Sequence, residues 1–420
     1  MHGSRALRLS ALAVTACLAA AACSGGGAGA SGSVDPSSSP APAPHVVSVM
    51  PATVSGTTPI VVTFRSPLPS DAALPTITPD VPGSWARSGD TATFTPARAY
   101  PPSTKFKVQL VRRAGRPPTT IARPVSKPGS LRFADQILAR LGYLPLTTTA
   151  PHPTDALAEA AAVYAPPPGK LTWRFSDTPA TIKKDWKTGT DNVVLRGAVI
   201  AFQHQAHLAQ DGEIGPATWK KLEAADLATK VDPDKYSYVS ANLYEPQTLS
   251  VWVDGRTVLT SPVNGGVAGA PTPLGTYPVY LRYTSTTMQG TNPDGSKYKD
   301  PGVPWVNYFS GGSAVHGFPR ASYGFPQSVG CLELPIPTAK KVYGLIGYGT
   351  LVTVVGPYVP SSVATPSPPQ TSSPKPTAKP SRGGKPSGKP KPSASSGVPL
   401  PTSTPAPTTP PASPKRDPHH

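Results

Sequence analysis

The chain has 420 residues, 38% of them hydrophobic, with 58 prolines and a formal net charge of +17. That length exceeds one ordinary core and implies two to four domains, and the proline load excludes a body built mainly of long helices. Lys375, Lys379, Arg382, Lys385, Lys389, Lys391, Lys415 and Arg416 all follow Tyr358, against Asp417 alone; the body carries only a modest excess, so nucleic acid explains the charge poorly and an anionic polymer or membrane surface explains it better.

Arg5 and Arg8 precede an almost wholly apolar run, Ala11 to Ala22. The run is too short to span a bilayer as a helix and reads as an export signal. Ala20-Ala21-Ala22-Cys23, followed by Ser24-Gly25-Gly26-Gly27, resembles a bacterial lipobox. The resemblance implies a lipoprotein signal over residues 1–23, lipidation of Cys23, and a membrane anchor through that N-terminal lipid. Val14-Thr15-Ala16-Cys17 is the alternative lipidation site, with a shorter apolar core behind it. The plainer reading is a cleaved signal with an incidental cysteine. Residues 24–44 are rich in Ser, Gly, Pro and Ala and are expected to be a disordered tether.

Residues 45–127 show short apolar runs, such as Ile60-Val61-Val62-Thr63-Phe64 and Phe106-Lys107-Val108-Gln109-Leu110, separated by proline and glycine. This spacing predicts a β-sandwich. Pro82-Gly83-Ser84-Trp85 and the run Gly89 to Pro96 resemble bacterial Ig-like domains, which implies a rigid spacer.

Residues 131–226 read as helical. Leu131, Ala134, Leu138 and Leu141 share one face of a first helix that ends at Gly142. Further helices are expected around Val194–Ala206 and from Ala217. Ala201-Phe202-Gln203 together with Asp211-Gly212-Glu213-Ile214-Gly215-Pro216-Ala217-Thr218-Trp219 resembles the small helical peptidoglycan-binding module, and Leu141-Gly142-Tyr143-Leu144-Pro145 resembles that module's first-helix exit. Residues 145–192 read as a Pro/Thr/Ala-rich insertion. His204 and His207, three apart, lack a third ligand and read as surface histidines; no metal is expected.

Beyond Lys235 the pattern returns to strands. Asp254-Gly255 between two alternating runs predicts a tight hairpin. Cys331 is the third cysteine of the chain, and with Cys17 and Cys23 in the leader it has no disulfide partner. A lone thiol retained in an exported chain points to a nucleophile, and a nucleophilic thiol needs a base or cation nearby. His316, in Ala314-Val315-His316-Gly317, is the candidate base.

Four blocks in order, Gln247–Gly255, Thr272–Val279, His316-Gly317 and Ser328–Leu334, resemble the L,D-transpeptidase (YkuD-like) catalytic domain over residues 236–356. The whole chain is thus expected to be multidomain: an Ig-like β-sandwich, a helical peptidoglycan-binding module and a β-rich catalytic domain. The resemblance implies a peptidoglycan L,D-transpeptidase acting on stem peptides through a cysteine thioester. Cys331 would be the nucleophile, His316 the base, and the Gly317 carbonyl the group that fixes its tautomer. The N–H groups of Gly330 and Cys331 would hold the oxyanion, with Ser328 in the same motif, and glycine at 330 would allow close backbone approach. Tyr298 stands where relatives have a substrate gate.

Two positions depart from the family pattern: Val329 replaces a second histidine, and Glu333 replaces an arginine or asparagine. A carboxylate at 333 would stabilise an imidazolium, bind a substrate ammonium, or disfavour the thiolate. An L,D-carboxypeptidase sharing the same residues, and a non-catalytic wall-binding structural lipoprotein, are the alternative readings. Residues 357–420, with Pro-Lys and Pro-Ser-Thr repeats, are too poor in apolar residues to fold, and their charge suits anionic wall polymers. No phosphate loop, dinucleotide fingerprint or metal cluster occurs, so no cofactor is expected. The expected location is extracytoplasmic, lipid-anchored and reaching into the wall.

Overall fold

The computed structural model describes residues 44–110 and 117–357. The leader with Cys17 and Cys23, the tether up to residue 43 and the tail from residue 358 lie outside them. Among the described residues no helix is long and apolar enough to cross a membrane.

The first part is a two-sheet sandwich of β1 (Val46–Met50), β2 (Thr53–Val54), β3 (Ile60–Phe64), β4 (Thr76–Thr78), β5 (Gly83–Ser88), β6 (Thr91–Pro96), β7 (Lys107–Leu110), β8 (Thr119–Ala122) and β9 (Val125–Ser126). One sheet runs β1-β3-β6-β5 and another β4-β7-β8, while β2 pairs with β9. Period-two alternation buries Ile60, Val62, Phe64 and Phe94 from the first sheet in one core with Ile77, Val108 and Leu110 from the second.

The helical part comprises α1 (Leu131–Arg140), β10 (Leu146–Thr148), α2 (Ala156–Ala162), β11 (Leu171–Trp173), α3 (Ala180–Asp185), α4 (Val193–Gln205) and α5 (Pro216–Leu227). Residues 145–192, which read as an insertion, are structured. The antiparallel β10–β11 pair, α2 and α3 supply Leu146, Ala162, Val163 and Ile182 to the core around Phe133, Ile137 and Trp219. Asn192 caps α4, its Oδ1 accepting from the N–H groups of Val194 (3.1 Å) and Leu195 (3.0 Å). Pro216 opens α5 at a position needing no N–H. The Gln203 and Asp-Gly pieces of the motif belong together physically. Gln203 Nε2 donates to Asp211 Oδ1 (2.6 Å) and its Oε1 accepts from the Gly212 N–H (2.9 Å), which ties the turn to the helix.

The last part holds β12 (Ser237–Asn242), β13 (Thr248–Val253), β14 (Arg256–Pro262), β15 (Gly275–Pro278), β16 (Leu281–Thr291), β17 (Lys297–Ser310), β18 (Ser313–Gly317), β19 (Leu332–Leu334), α6 (Ile336–Leu345) and β20 (Leu351–Val355). A five-stranded sheet, β14-β13-β12-β20-β15, packs against a four-stranded sheet, β16-β17-β18-β19. Their shared core contains Val239, Val251 and Val352 from one sheet and Phe309, Val315, Leu332 and Leu334 from the other. The expected hairpin forms between β13 and β14, with both Asp254 (φ +43°) and Gly255 (φ +94°) in left-handed conformations. Tyr238, Trp252 and Leu351 belong to the helical core, so the helical part and the β part are welded along a common interior.

Candidate active site

The site follows from one pair of strands. β18 and β19 run parallel, with Val315 opposite Leu332, His316 opposite Glu333 and Gly317 opposite Leu334. Alternation turns Val315, Leu332 and Leu334 into the inter-sheet core. Ala314, His316, Cys331 and Glu333 therefore share the other face. Ala314 and Cys331 do pack together in the cluster on that face, with Val303, Val306 and Tyr308.

His316 is 2% exposed, and its Nδ1 lies 3.0 Å from Gly317 O. A carbonyl only accepts, so Nδ1 carries the hydrogen and the neutral ring keeps its lone pair at Nε2. Burial pulls the imidazole below its ordinary pKa, opposed by the Gly317 hydrogen bond and the Glu333 charge. Glycine at 317 fits a tight spot: a Cβ there would lie 3.2 Å from both Ala339 Cβ and Pro304 Cγ, where α6 meets β17.

Cys331 is partly exposed and unpaired. Burial of its thiol pushes it up to about 12, and the Glu333 charge adds to this against the Ala314 backbone. Its Sγ contacts Gly312 O at 3.9 Å, and among the described residues no hydrogen bond joins it to the imidazole. The resting pair is thus neutral thiol and neutral imidazole. The Cys331 carbonyl is fixed by two hydroxyls, Ser328 Oγ (2.7 Å) and Thr272 Oγ1 (3.2 Å). Ser328 is 1% exposed and supports the loop rather than facing a substrate. Gly330 has φ +97°, and a Cβ there would find nothing closer than 3.6 Å. The left-handed φ calls for glycine there, and no protein atom crowds the position.

Glu333 departs from expectation. It is 4% exposed, and both carboxylate oxygens accept from Arg320, at 2.8 Å from Nε and 2.8 Å from Nη2. The carboxylate is therefore engaged by a fixed guanidinium and is not offered to a substrate ammonium. Arg320 lies 4.7 Å from the Phe318 ring centroid, and Phe318 meets the His316 ring edge-on at 6.0 Å. Arg320 was not singled out in the sequence. The available signal was an arginine four residues past His316 facing an unexplained acid two past Cys331. Asn264 was also missed; it is fully buried, exchanges backbone hydrogen bonds with Glu333 and accepts at Oδ1 from the Gly324 N–H (2.9 Å).

Tyr298 is on β17, in the long hairpin with β16, and its ring covers Gly290 across the pair. Burial raises its phenol, and the nearby Cys331 and Asp300 raise it further. It thus joins the Cys331 neighbourhood, as does Tyr308. His204 stacks on Tyr348 with centroids 4.0 Å apart, and no group of side chains suited to a metal occurs among the described residues.

Comparison with known proteins matches residues 236–354 to the family model of the L,D-transpeptidase catalytic domain (YkuD) and residues 182–222 to that of a peptidoglycan binding domain. The second match leaves α1 and Leu141–Pro145 outside it. Among solved structures, the chain is similar to the catalytic domain of an E. faecium L,D-transpeptidase, with 26% identity over 30% of this chain and 100% of that one and a TM-score of 0.27. It is also similar to an L,D-transpeptidase from Mycobacterium smegmatis, with 15% identity, 74% and 99% coverage and a TM-score of 0.26. An L,D-transpeptidase from Mycobacterium tuberculosis H37Rv gives 16%, 74% and 98%, and 0.25. Among curated proteins none matches.

Proposed function

We propose that this chain, whose residues 236–354 are an L,D-transpeptidase catalytic domain, cross-links peptidoglycan stem peptides through a thioester on Cys331. The observation that carries the reading is the register of β18 and β19, which puts the thiol on the same face as an imidazole whose Nε2 is left as the acceptor. The donor stem binds with the carbonyl of its diamino acid at Sγ. As the C–S bond forms, the thiol proton passes to His316 Nε2, and the backbone N–H groups of Gly330 and Cys331 take the oxyanion. Collapse expels D-alanine, whose nitrogen takes the proton from His316. An acceptor amine then attacks the thioester, His316 removes its proton, and the thiol is restored as the new amide forms.

Because the resting thiol is held near 12, proton transfer accompanies attack rather than preceding it. The gap between thiol and imidazole closes when substrate arrives, as hydrogen bonds in unliganded sites often do. Tyr298 and the β16–β17 hairpin cover the entry. Tethering by a Cys23 lipid, binding of wall by the helical module, and adhesion of the basic tail to anionic polymers complete the proposal, with the chain outside the cytoplasm. Incorporation of labelled fatty acid, lost in Cys23→Ala, tests the anchor.

The catalytic test is intact mass after incubation with a tetrapeptide stem. An acyl adduct is expected on the wild type and on neither Cys331→Ala nor His316→Ala. An adduct that persists on Cys331→Ala removes the mechanism.

A further inference from the structure

A cleft of about 490 Å³ opens between the helical part and the β part, lined by α4, by residues 232–237, by Arg282 and by the segment 343–350. It is distinct from the Cys331 site and is absent from the catalytic scheme. Its walls are held rigidly. Gly197 and Gly349 meet backbone to backbone, so close that a Cβ on Gly197 would lie 2.6 Å from Gly349 O. The shared core behind them fixes the orientation of the two parts.

The polar groups of the cleft form a pattern. Arg282 Nε donates to Asn307 Oδ1 (2.8 Å), its Nη2 donates to Tyr343 O, and its guanidinium rests 4.1 Å from the Tyr343 ring centroid. Among the described residues no carboxylate is within ion-pair distance of it. The Asp234 charge acts on the guanidinium only at longer range, and a partly desolvated cation without a direct ion pair favours an incoming carboxylate. Asp232 and Asp234 also line the cleft, and Asp234 Oδ2 accepts from Gln205 Nε2 (3.1 Å). The His204–Tyr348 stack supplies an aromatic surface. Two cations, Arg282 and Lys235, two carboxylates and an aromatic shelf suit a peptide end that carries both a carboxylate and an ammonium, not a neutral glycan.

We infer that this cleft is a second peptide site, taking a stem peptide that ends in a diamino acid, with Arg282 meeting its terminal carboxylate and Asp232 and Asp234 its side-chain ammonium. The inference rests on the peptidoglycan reading of the chain. Such a site, held rigidly against the catalytic domain, would keep a finished stem beside the one being processed and raise its effective concentration.

The test is calorimetric titration of the full chain, with Cys331 first acylated by a carbapenem, using the tripeptide L-Ala-γ-D-Glu-L-Lys. One-site binding is expected, weakened about tenfold when the lysine side-chain amine is acetylated and about tenfold by Arg282→Lys, which keeps charge but loses the planar fork. Arg282 also braces Asn307, which donates to Val315 O. Its variant is therefore read beside Asp234→Asn and His204→Ala, both on exposed side chains, each expected to weaken binding about fivefold. No binding, equal binding of the acetylated peptide, or affinity unchanged in all three variants overturns the inference. Failure of the carbapenem to acylate Cys331 strikes the catalytic proposal instead, and the same titration on unlabelled protein then still decides the cleft.

Discussion

Replacing Arg320 with glutamine isolates the feature that most separates this site from its family pattern. In the wild type Glu333 stands cross-strand from His316, nearly inaccessible, with both oxygens on the guanidinium. Each charge-assisted bond is worth about 1.5–3 kcal/mol when buried. Arg320 is 30% exposed on its side chain, so water screens part of this, and about 2 kcal/mol of stability is the expected loss. The unpaired carboxylate has a second effect. Its charge already raises both the imidazole and the thiol, and without Arg320 that field is no longer opposed. His316 then protonates at higher pH and the thiolate is harder to form, so the acid limb of the acylation rate moves up in pH. A penalty of about 1.4 kcal/mol on the developing thiolate slows acylation about tenfold. The assay is the carbapenem acylation rate from pH 5 to 9 by intact mass, on Arg320→Gln and on the double variant Arg320→Gln/Glu333→Gln. Removing both charges should recover most of the rate even where stability is not recovered. A double variant as slow as the single one, with the same pH limb, would refute the electrostatic argument and leave Arg320 as packing alone.

Three further outcomes are expected. Alkylation of Cys331 by iodoacetamide should rise about tenfold per pH unit from pH 7 to 10 without a plateau, because a thiol held near 12 is thiolate in only about one molecule in 10⁵ at pH 7; a rate that levels off above about pH 9 would show an ordinary thiol with a pKa of about 8.5. Gly349→Ala, with φ +78° and a Cβ placed 2.1 Å from Gly197 O, should cost about 3 kcal/mol through overpacking and left-handed strain, and an unchanged Tm by calorimetry would contradict the welded seam. Asp135 is fully buried with Oδ1 unpartnered, and burial raises its carboxyl to about 7 against the Gly189 hydrogen bond and the Arg132 charge. Its folded pKa exceeds the unfolded one, so its contribution is full at low pH and is lost as pH rises from about 4 through 7, at up to about 1.4 kcal/mol per pH unit; chemical denaturation across that range should show the decline, and Asp135→Asn should flatten it.

The parts of this molecule legible in the sequence are those whose cause is local. Asp254-Gly255 announces its hairpin because two consecutive left-handed residues are needed there. The strands of the sandwich show their period, and His316-Gly317 carries a backbone hydrogen bond within one residue. What the sequence concealed depends on partners far along the chain. Residues 145–192 look like an insertion because α2 and α3 are short and bury few side chains each, yet Val163 and Ile182 complete the helical core. Gly330 also has a left-handed φ, a reason for glycine that no composition reveals. Glu333 looked free because its partner lies 13 residues back in a loop without periodicity.

The charge arrangement around Cys331 also answers a question raised by a lone thiol in a chain proposed to work outside the cytoplasm. Oxidants and stray electrophiles attack the thiolate, and the usual way to activate a cysteine, an imidazolium beside it, would keep that thiolate standing. Here the forces run the other way. Burial raises the thiol and lowers the imidazole, and the neighbouring acid is matched by a guanidinium instead of being left to hold His316 protonated. Both partners rest neutral, and reactivity waits for a carbonyl whose developing oxyanion offsets the charge transferred. The same environment that slows adventitious chemistry therefore favours reaction with a substrate that brings its own electrophile into the pocket, and selectivity follows from when the proton moves rather than from a permanently activated sulfur.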